Sequence, residues 1–211
     1  MSGTITALRI QKRDKERVNV FLDGEYAFSV SLNAALALQR GQLLGQADVE
    51  RLQREDEVNR AYHHALRMLG YRPRSRLEIE RRLRQKDYSA AAIDAAIERL
   101  LANQRLNDAA FAQSWLDNRE RFRPRGVRAL RYELRQKGLD PSTINDALTD
   151  LDEAALAWAA VEGKIDRWRT LDQSAFRKKV MGFLSRRGFN YATVRTVCQR
   201  AWESIEQNEE V

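Results

Sequence analysis

The 211-residue chain is poor in the residues that anchor most protein chemistry, with one cysteine, two histidines and three prolines. A lone thiol at Cys198 forms no internal disulfide and no cysteine-rich metal site. It falls in an apolar helical pattern and reads as a buried, inert side chain. The histidines are the neighbours His63 and His64, which on a helix point about 100° apart and so cannot both serve one zinc from that face. They read as a surface or half-buried pair. Glycines stand singly, as in Arg125-Gly126 and Arg187-Gly188, without the spacing of a Walker-type or dinucleotide loop. No apolar run approaches the roughly 20 residues that span a bilayer, and polar residues interrupt the N-terminus. A cytoplasmic protein without membrane association is expected. The adjacent acids Asp56-Glu57 lie beside Arg54 and Arg60 and need do no acid–base work. No catalytic residue emerges.

Basic charge is what the chain has in excess. Lys and Arg number 37 against 30 acids, a formal net charge of +7, and most of the bases are Arg. Such a balance points to a polyanionic partner, most often nucleic acid. The planar guanidinium suits bidentate phosphate or carboxylate contacts.

The first 30 residues alternate apolar and polar positions: Leu8 and Ile10, then Val18, Val20 and Leu22, then Tyr26, Phe28 and Val30. Asp23-Gly24 between the second and third runs suits the positive φ angles of a tight hairpin turn. The pattern predicts a small three-stranded antiparallel meander. Leu32 to Gln39 is a covering helix capped by Ser31 and ended by Gly41, since so few strands are marginal alone.

From about Ala47 the chain reads as almost wholly α-helical, and it repeats itself. LRQKDY (Leu83 to Tyr88), LRQKGL (Leu134 to Leu139) and LSRRGF (Leu184 to Phe189) align at spacings of 51 and 50 residues. One helical turn before each leading Leu stands Ile79, Leu130 or Val180. Ser89, Asp140 and Asn190 follow as N-caps, Pro141 fits a first helical position, and Asp87 departs from the Gly at the other two turns. Ile93, Ile97 and Leu100, then Ile144, Leu148 and Leu151, then Val194, Cys198 and Ala201 form matching buried stripes. The organisation expected is an N-terminal β segment with a short helix (1–46) and three helical repeats (47–107, 108–152 and 153–211). They form a mainly α, elongated array of three-helix, helix-turn-helix-like units.

Charge is partitioned within each repeat. Residues 67–86 and 119–137 each hold eight Lys or Arg against two Glu, and 177–187 hold five bases and no acid, whereas 139–153 hold five acids and no base. The candidate binding residues are Arg74, Arg76, Arg81, Arg82, Arg84 and Lys86 in the first repeat. The second supplies Arg123, Arg125, Arg128, Arg131, Arg135 and Lys137, and the third Arg177, Lys178, Lys179, Arg186 and Arg187. Arg128, Arg131 and Arg135 share one helix face, a row able to follow a phosphate backbone, while Glu133 and Lys137 have the spacing of an intrahelical pair. Tyr71, Tyr88, Phe122, Tyr132 and Trp168 are interleaved with the basic residues and could stack on exposed nucleobases, but helical spacing assigns most of them to the core. Trp115, Trp158 and Trp202 read as packing residues.

The repeated turns, together with LNDAAFAQSWLDNR (Leu106 to Arg119), RGVRALRYELRQKGL (Arg125 to Leu139) and FLSRRGF (Phe183 to Phe189), resemble the RecX family over about Ala61 to Trp202. The resemblance implies a monomeric, non-enzymatic regulator, commonly an inhibitor, of the RecA recombinase. It implies binding to RecA and its nucleoprotein filament and, more weakly, to single- and double-stranded DNA, with no cofactor and no metal. The main rival is a transcription factor whose helix-turn-helix units read bases in the major groove, for which basic residues spread over three repeats are a poor fit. A nuclease is a third reading, with no carboxylate constellation to support it.

Overall fold

The computed structural model describes residues 2–209, which fall into two units. One comprises the chain through Arg72 together with Glu78–Leu106, and the other comprises Pro73–Leu77 and the residues from Asn107 onward.

In the first unit β1 (Gly3–Ile10), β2 (Arg17–Leu22) and β3 (Glu25–Ser31) form the expected antiparallel meander. Asp23 and Gly24 have φ of 50° and 95°, the left-handed pair that a two-residue hairpin requires. The sheet nevertheless has four strands, because β4 (Leu43–Leu44) pairs with Gly3 and Thr4 to give the order β3-β2-β1-β4. Two residues are too few to leave an alternating signature. α1 is also shorter than expected, ending at Ala35, although Ser31 does cap it by accepting a hydrogen bond from the Ala34 amide (3.2 Å). Ile5, Val18, Val20, Leu22, Phe28 and Val30 line one buried face of the sheet, against Leu38 and against Val49 and Leu52 of α2 (Gln46–Tyr71).

The 26-residue α2 serves two cores. Beyond the sheet, its Ala61, Tyr62, Ala65 and Met68 pack with Ile79 and Leu83 of α3 (Arg76–Arg84) and Ile93, Ile97 and Leu100 of α4 (Ala90–Ala102). Between these stretches Asp56 is buried and accepts both Arg17 guanidinium nitrogens at 3.0 Å, with Arg60 at 3.1 Å. Glu57 accepts the Ser89 amide (2.8 Å) and hydroxyl (2.7 Å) at the start of α4. The adjacent acids are thus structural.

The second unit contains α5 (Asp108–Phe122), α6 (Val127–Gln136), α7 (Pro141–Leu148), α8 (Glu153–Val161), a 3-10 turn at Glu162–Lys164, α9 (Ile165–Trp168), α10 (Gln173–Arg186) and α11 (Tyr191–Glu209). They share one core, running from Phe111 through Leu130, Leu134, Phe176 and Val180 to Ala201, with Trp115, Trp158 and Trp202 packed at its margin. Cys198 is buried, and burial pushes its thiol pKa up, as expected of an inert side chain.

The three repeated turns have one geometry. Asp87, Gly138 and Gly188 all adopt positive φ (60°, 82° and 85°). The next amide reaches back five residues in each case: Tyr88 to the Leu83 carbonyl (3.4 Å), Leu139 to Leu134 (3.3 Å) and Phe189 to Leu184 (3.3 Å). This is the six-to-one bond of a Schellman C-cap. Asp87 accepts the left-handed conformation that glycine adopts at the other two turns. Each following helix is then capped by its predicted residue, Ser89 on Ala92 (3.3 Å), Asp140 on Thr143 (3.0 Å) and Asn190 on Thr193 (2.9 Å). Of the nine predicted stripe positions, Leu151 alone is half-buried rather than buried.

A candidate nucleic-acid interface

The basic residues are carried on short amphipathic helices whose apolar stripes are committed to the cores, so their charged faces turn outward. In the first unit Arg81, Arg82, Arg84 and Lys86 are exposed at the C-terminal end of α3 and in the turn after it. Cations are favoured there because the helix dipole presents negative partial charge. Arg84 lies 4.0 Å from Glu80, and Arg82 donates to Gln85 (3.3 Å). The field of this group reaches His64 on α2, whose imidazole pKa is held below its ordinary value by burial and then by Arg67, Lys86 and Arg82.

In the second unit the geometry is set by close packing at the two glycine turns, Gly138 and Gly188, and that packing itself recurs. Ser75 donates its hydroxyl to the Lys137 carbonyl (2.7 Å), and the Arg76 amide donates to Asp108 (3.0 Å). A Cβ on Gly138 would lie 2.6 Å from Leu77. One repeat later the Gly126 amide donates to the Arg187 carbonyl (3.1 Å), and the Val127 amide donates to Glu153 (3.0 Å). A Cβ on Gly188 would lie 2.5 Å from that of Ala129. In both places the first residue of a helix supplies the accepting carboxylate, Asp108 of α5 for the Arg76 amide and Glu153 of α8 for the Val127 amide. Glu153 also accepts the Asn190 side-chain amide, fastening α11 to the same point.

This packing gathers Arg123, Arg125, Arg128 and Arg187 where the loop before α6 meets the turn after α10. Arg187 donates to the Pro124 carbonyl (3.0 Å) and lies over the Phe183 ring at 4.5 Å. Burial, with Arg123 and Arg125 nearby, pushes its guanidinium pKa below the ordinary value. Arg128 reaches the Ser185 carbonyl (3.5 Å), and Arg131 donates to the Asn145 side chain. Arg135 is exposed. Two arginines of the predicted row on α6, Arg128 and Arg131, are thus oriented by neutral oxygens. Among the described residues, Arg123, Arg128, Arg131, Arg135 and Arg187 form no ion pair with a carboxylate.

Other candidates are placed differently. Glu133 does not pair with Lys137; it takes Arg119 at 2.7 Å, Arg125 at 3.1 Å and the Trp115 indole N–H at 2.9 Å. Arg125 is therefore partly neutralised inside the repeat. Lys137 is half-buried with its ammonium 4.6 Å from the Trp115 ring centroid. Arg74 is half-buried and Arg76 exposed in Pro73–Leu77, and both make further contacts. Arg177, Lys178, Lys179 and Arg186 are exposed on α10.

The aromatic expectation needs correction. Tyr71, Phe122 and Tyr132 are 88%, 69% and 64% exposed, and Tyr88 and Trp168 are half-buried. Tyr71 and Phe122 are the last residues of α2 and α5, beyond the final buried turn, where helical spacing no longer implies a core face. Phe122 adjoins Arg123 and lies 5.1 Å from the Arg121 guanidinium. No group of three or more His, Cys, Asp or Glu able to hold a metal occurs among the described residues, and no helix among them is long and apolar enough to cross a membrane.

Comparison with known proteins covers the chain in four segments. Residues 3–44 match the regulatory protein RecX N-terminal domain, and residues 61–100, 107–148 and 151–198 match the first, second and third three-helix domains of RecX. The regulatory protein RecX of Bacillus subtilis (strain 168) is 33% identical over 195 residues, covering 90% of this chain and 74% of that one. That of Listeria monocytogenes serotype 4a is 28% identical over 207 residues, covering 96% and 77%. Among solved structures, a crystal structure of regulatory protein RecX superposes with a TM-score of 0.76 at 28% identity over 93% of this chain and 98% of that one. RecX from Lactobacillus salivarius gives 0.63 at 25% identity over 70% and 97%.

Proposed function

Because the chain belongs to the RecX family of regulatory proteins, we propose that it regulates homologous recombination by binding RecA and the RecA–DNA filament and lowering ATP turnover and strand exchange. The observation that carries this reading is the set of arginines on α6 and at the α10 turn that are aimed by backbone and amide oxygens and left uncompensated by carboxylates. A guanidinium held by a neutral acceptor keeps its charge and gives up side-chain freedom before any partner arrives, which reduces the ordering cost of binding. Such groups suit phosphates or an acidic protein surface. The protein performs no chemistry; it acts by occupancy in the cytoplasm. Its cationic sites recur at the repeat interval, as binding to a long, regular polyanion requires.

The transcription-factor alternative needs a recognition helix presenting a few base-reading side chains. Arg128 and Arg187 instead face backbone carbonyls and Arg131 faces a side-chain amide, and phosphate contacts position a protein without reading sequence. Co-sedimentation separates the two. RecA filaments assembled on single-stranded DNA with a non-hydrolysable ATP analogue are expected to carry the protein down at concentrations where the same DNA without RecA does not. Equal partition onto bare DNA, with a preference for one duplex sequence, would overturn the regulator reading.

A further inference from the structure

The faces of a small sheet are distinguished by what covers them. In the first unit Val18, Val20 and Leu22 of β2 point into the core, so Asn19 and Phe21 point to the other side. Arg9 of β1 pairs in register with Asn19, and Tyr26 of β3 with Phe21. The Arg9 guanidinium lies over the Phe21 ring, 4.8 Å from its centroid. Phe21 and Tyr26 meet edge-to-face with centroids 6.0 Å apart, and Tyr26 is 57% exposed. A polar line runs beside them: Gln11 donates to Asn19 (2.7 Å) and to Ser29 (3.2 Å), and the Tyr26 and Ser29 hydroxyls are 3.0 Å apart. Residues 9–17, which end β1 and turn into β2, hold five bases against two acids. Among the described residues Arg9, Lys12, Arg13 and Lys15 form no ion pair.

We propose that this outer face of the N-terminal sheet is a binding platform for single-stranded nucleic acid, separate from the helical repeats. Tyr26 supplies the ring on which a base stacks. Arg9, held over the Phe21 ring, supplies a second surface, and Lys12, Arg13 and Lys15, in the turn at the far end of the β1–β2 ladder, attract phosphates further along the strand. Rings on an open sheet face beside unpaired cations are the combination by which proteins hold unpaired strands, whose bases are free to leave their own stack. Duplex DNA presents no base faces and would gain only the phosphate attraction. The occupant is therefore a single strand.

Fluorescence anisotropy of the full chain with labelled oligo(dT), oligo(rU) and an abasic oligonucleotide of equal length tests this. Tyr26→Ala is expected to weaken the better-bound oligonucleotide about tenfold while leaving the salt slope unchanged, because stacking is lost and phosphate contacts are not. Tyr26→Phe, which keeps the ring, should bind as the parent does, and the parent should discriminate against the abasic strand. Equal affinity for abasic and base-bearing strands, or an unchanged affinity in Tyr26→Ala, would overturn the platform. Base preference that survives Arg128→Ala/Arg131→Ala/Arg135→Ala separates this site from the repeats, so either proposal can fail alone. Loss of base preference in that variant would count against the sheet.

Discussion

Gly126 and Gly188 meet backbone to backbone: a Cβ on Gly126 would lie 2.3 Å from the Gly188 carbonyl oxygen and 2.3 Å from the Phe189 nitrogen. Gly126 has φ of −73°, an ordinary value for any residue, so the requirement is for space and not for conformation. Gly126→Ala must push the start of α6 off the turn after α10 and loosen the cluster formed by Arg123, Arg128 and Arg187. Urea unfolding is expected to show a loss of about 1–3 kcal/mol, the usual cost of overpacking. Gly70→Ala provides the contrast. That glycine lies within α2, where an added Cβ would meet nothing within 4 Å, and its replacement should stabilise by about 0.5–1 kcal/mol. Equal effects at the two positions would mean that the repeats do not dock through this contact.

The α6 row makes a quantitative prediction about salt. If Arg128, Arg131 and Arg135 each neutralise a duplex phosphate, replacing all three with Ala flattens the slope of log K against log[salt] by about 0.9 per lost contact. Binding to duplexes of different sequence should weaken to the same extent. An unchanged slope would remove the row from DNA and leave an acidic protein surface as its target.

His64 reports on the basic end of α3. Its pKa is lowered by burial and by Arg67, Lys86 and Arg82, so folding favours the neutral ring. The resulting stability is fully present above the unfolded value of 6.5 and is lost as pH falls through the lower folded value. His64→Gln should flatten that decline. A polyanion bound over Arg82 and Lys86 screens the repulsion and raises the pKa, so NMR titration of the ring should show an upward shift on adding DNA or filament. An identical titration curve in both conditions would place the binding elsewhere.

The repeat was legible in the sequence because every element of it has a local signature: the anchoring Leu, the turn residue, the N-cap and the i, i+4, i+7 stripe. Even Asp87, the departure from glycine, occupies the same left-handed turn as Gly138 and Gly188. The hairpin was legible for the same reason, since Asp23-Gly24 states its own turn type. What was not legible depends on residues far apart in the chain. Gly126 and Gly188 are 62 positions apart, and no periodicity links them. Glu133 has the spacing to pair with Lys137, but tertiary packing brings Arg119, Arg125 and the Trp115 indole to it instead. β4 gains its identity only by lying beside Gly3 and Thr4. The candidate basic residues were visible as a group, but which of them keep an uncompensated charge was decided by carboxylates and carbonyls from other helices.

Regulation of a recombinase filament by occupancy is tested most directly by titrating the protein into preformed RecA filaments on single-stranded DNA and following ATP hydrolysis. The rate is expected to fall at protein concentrations well below that of RecA, with Arg128→Ala/Arg131→Ala/Arg135→Ala a weaker inhibitor. A rate that stays normal at excess protein would contradict occupancy as the mode of action.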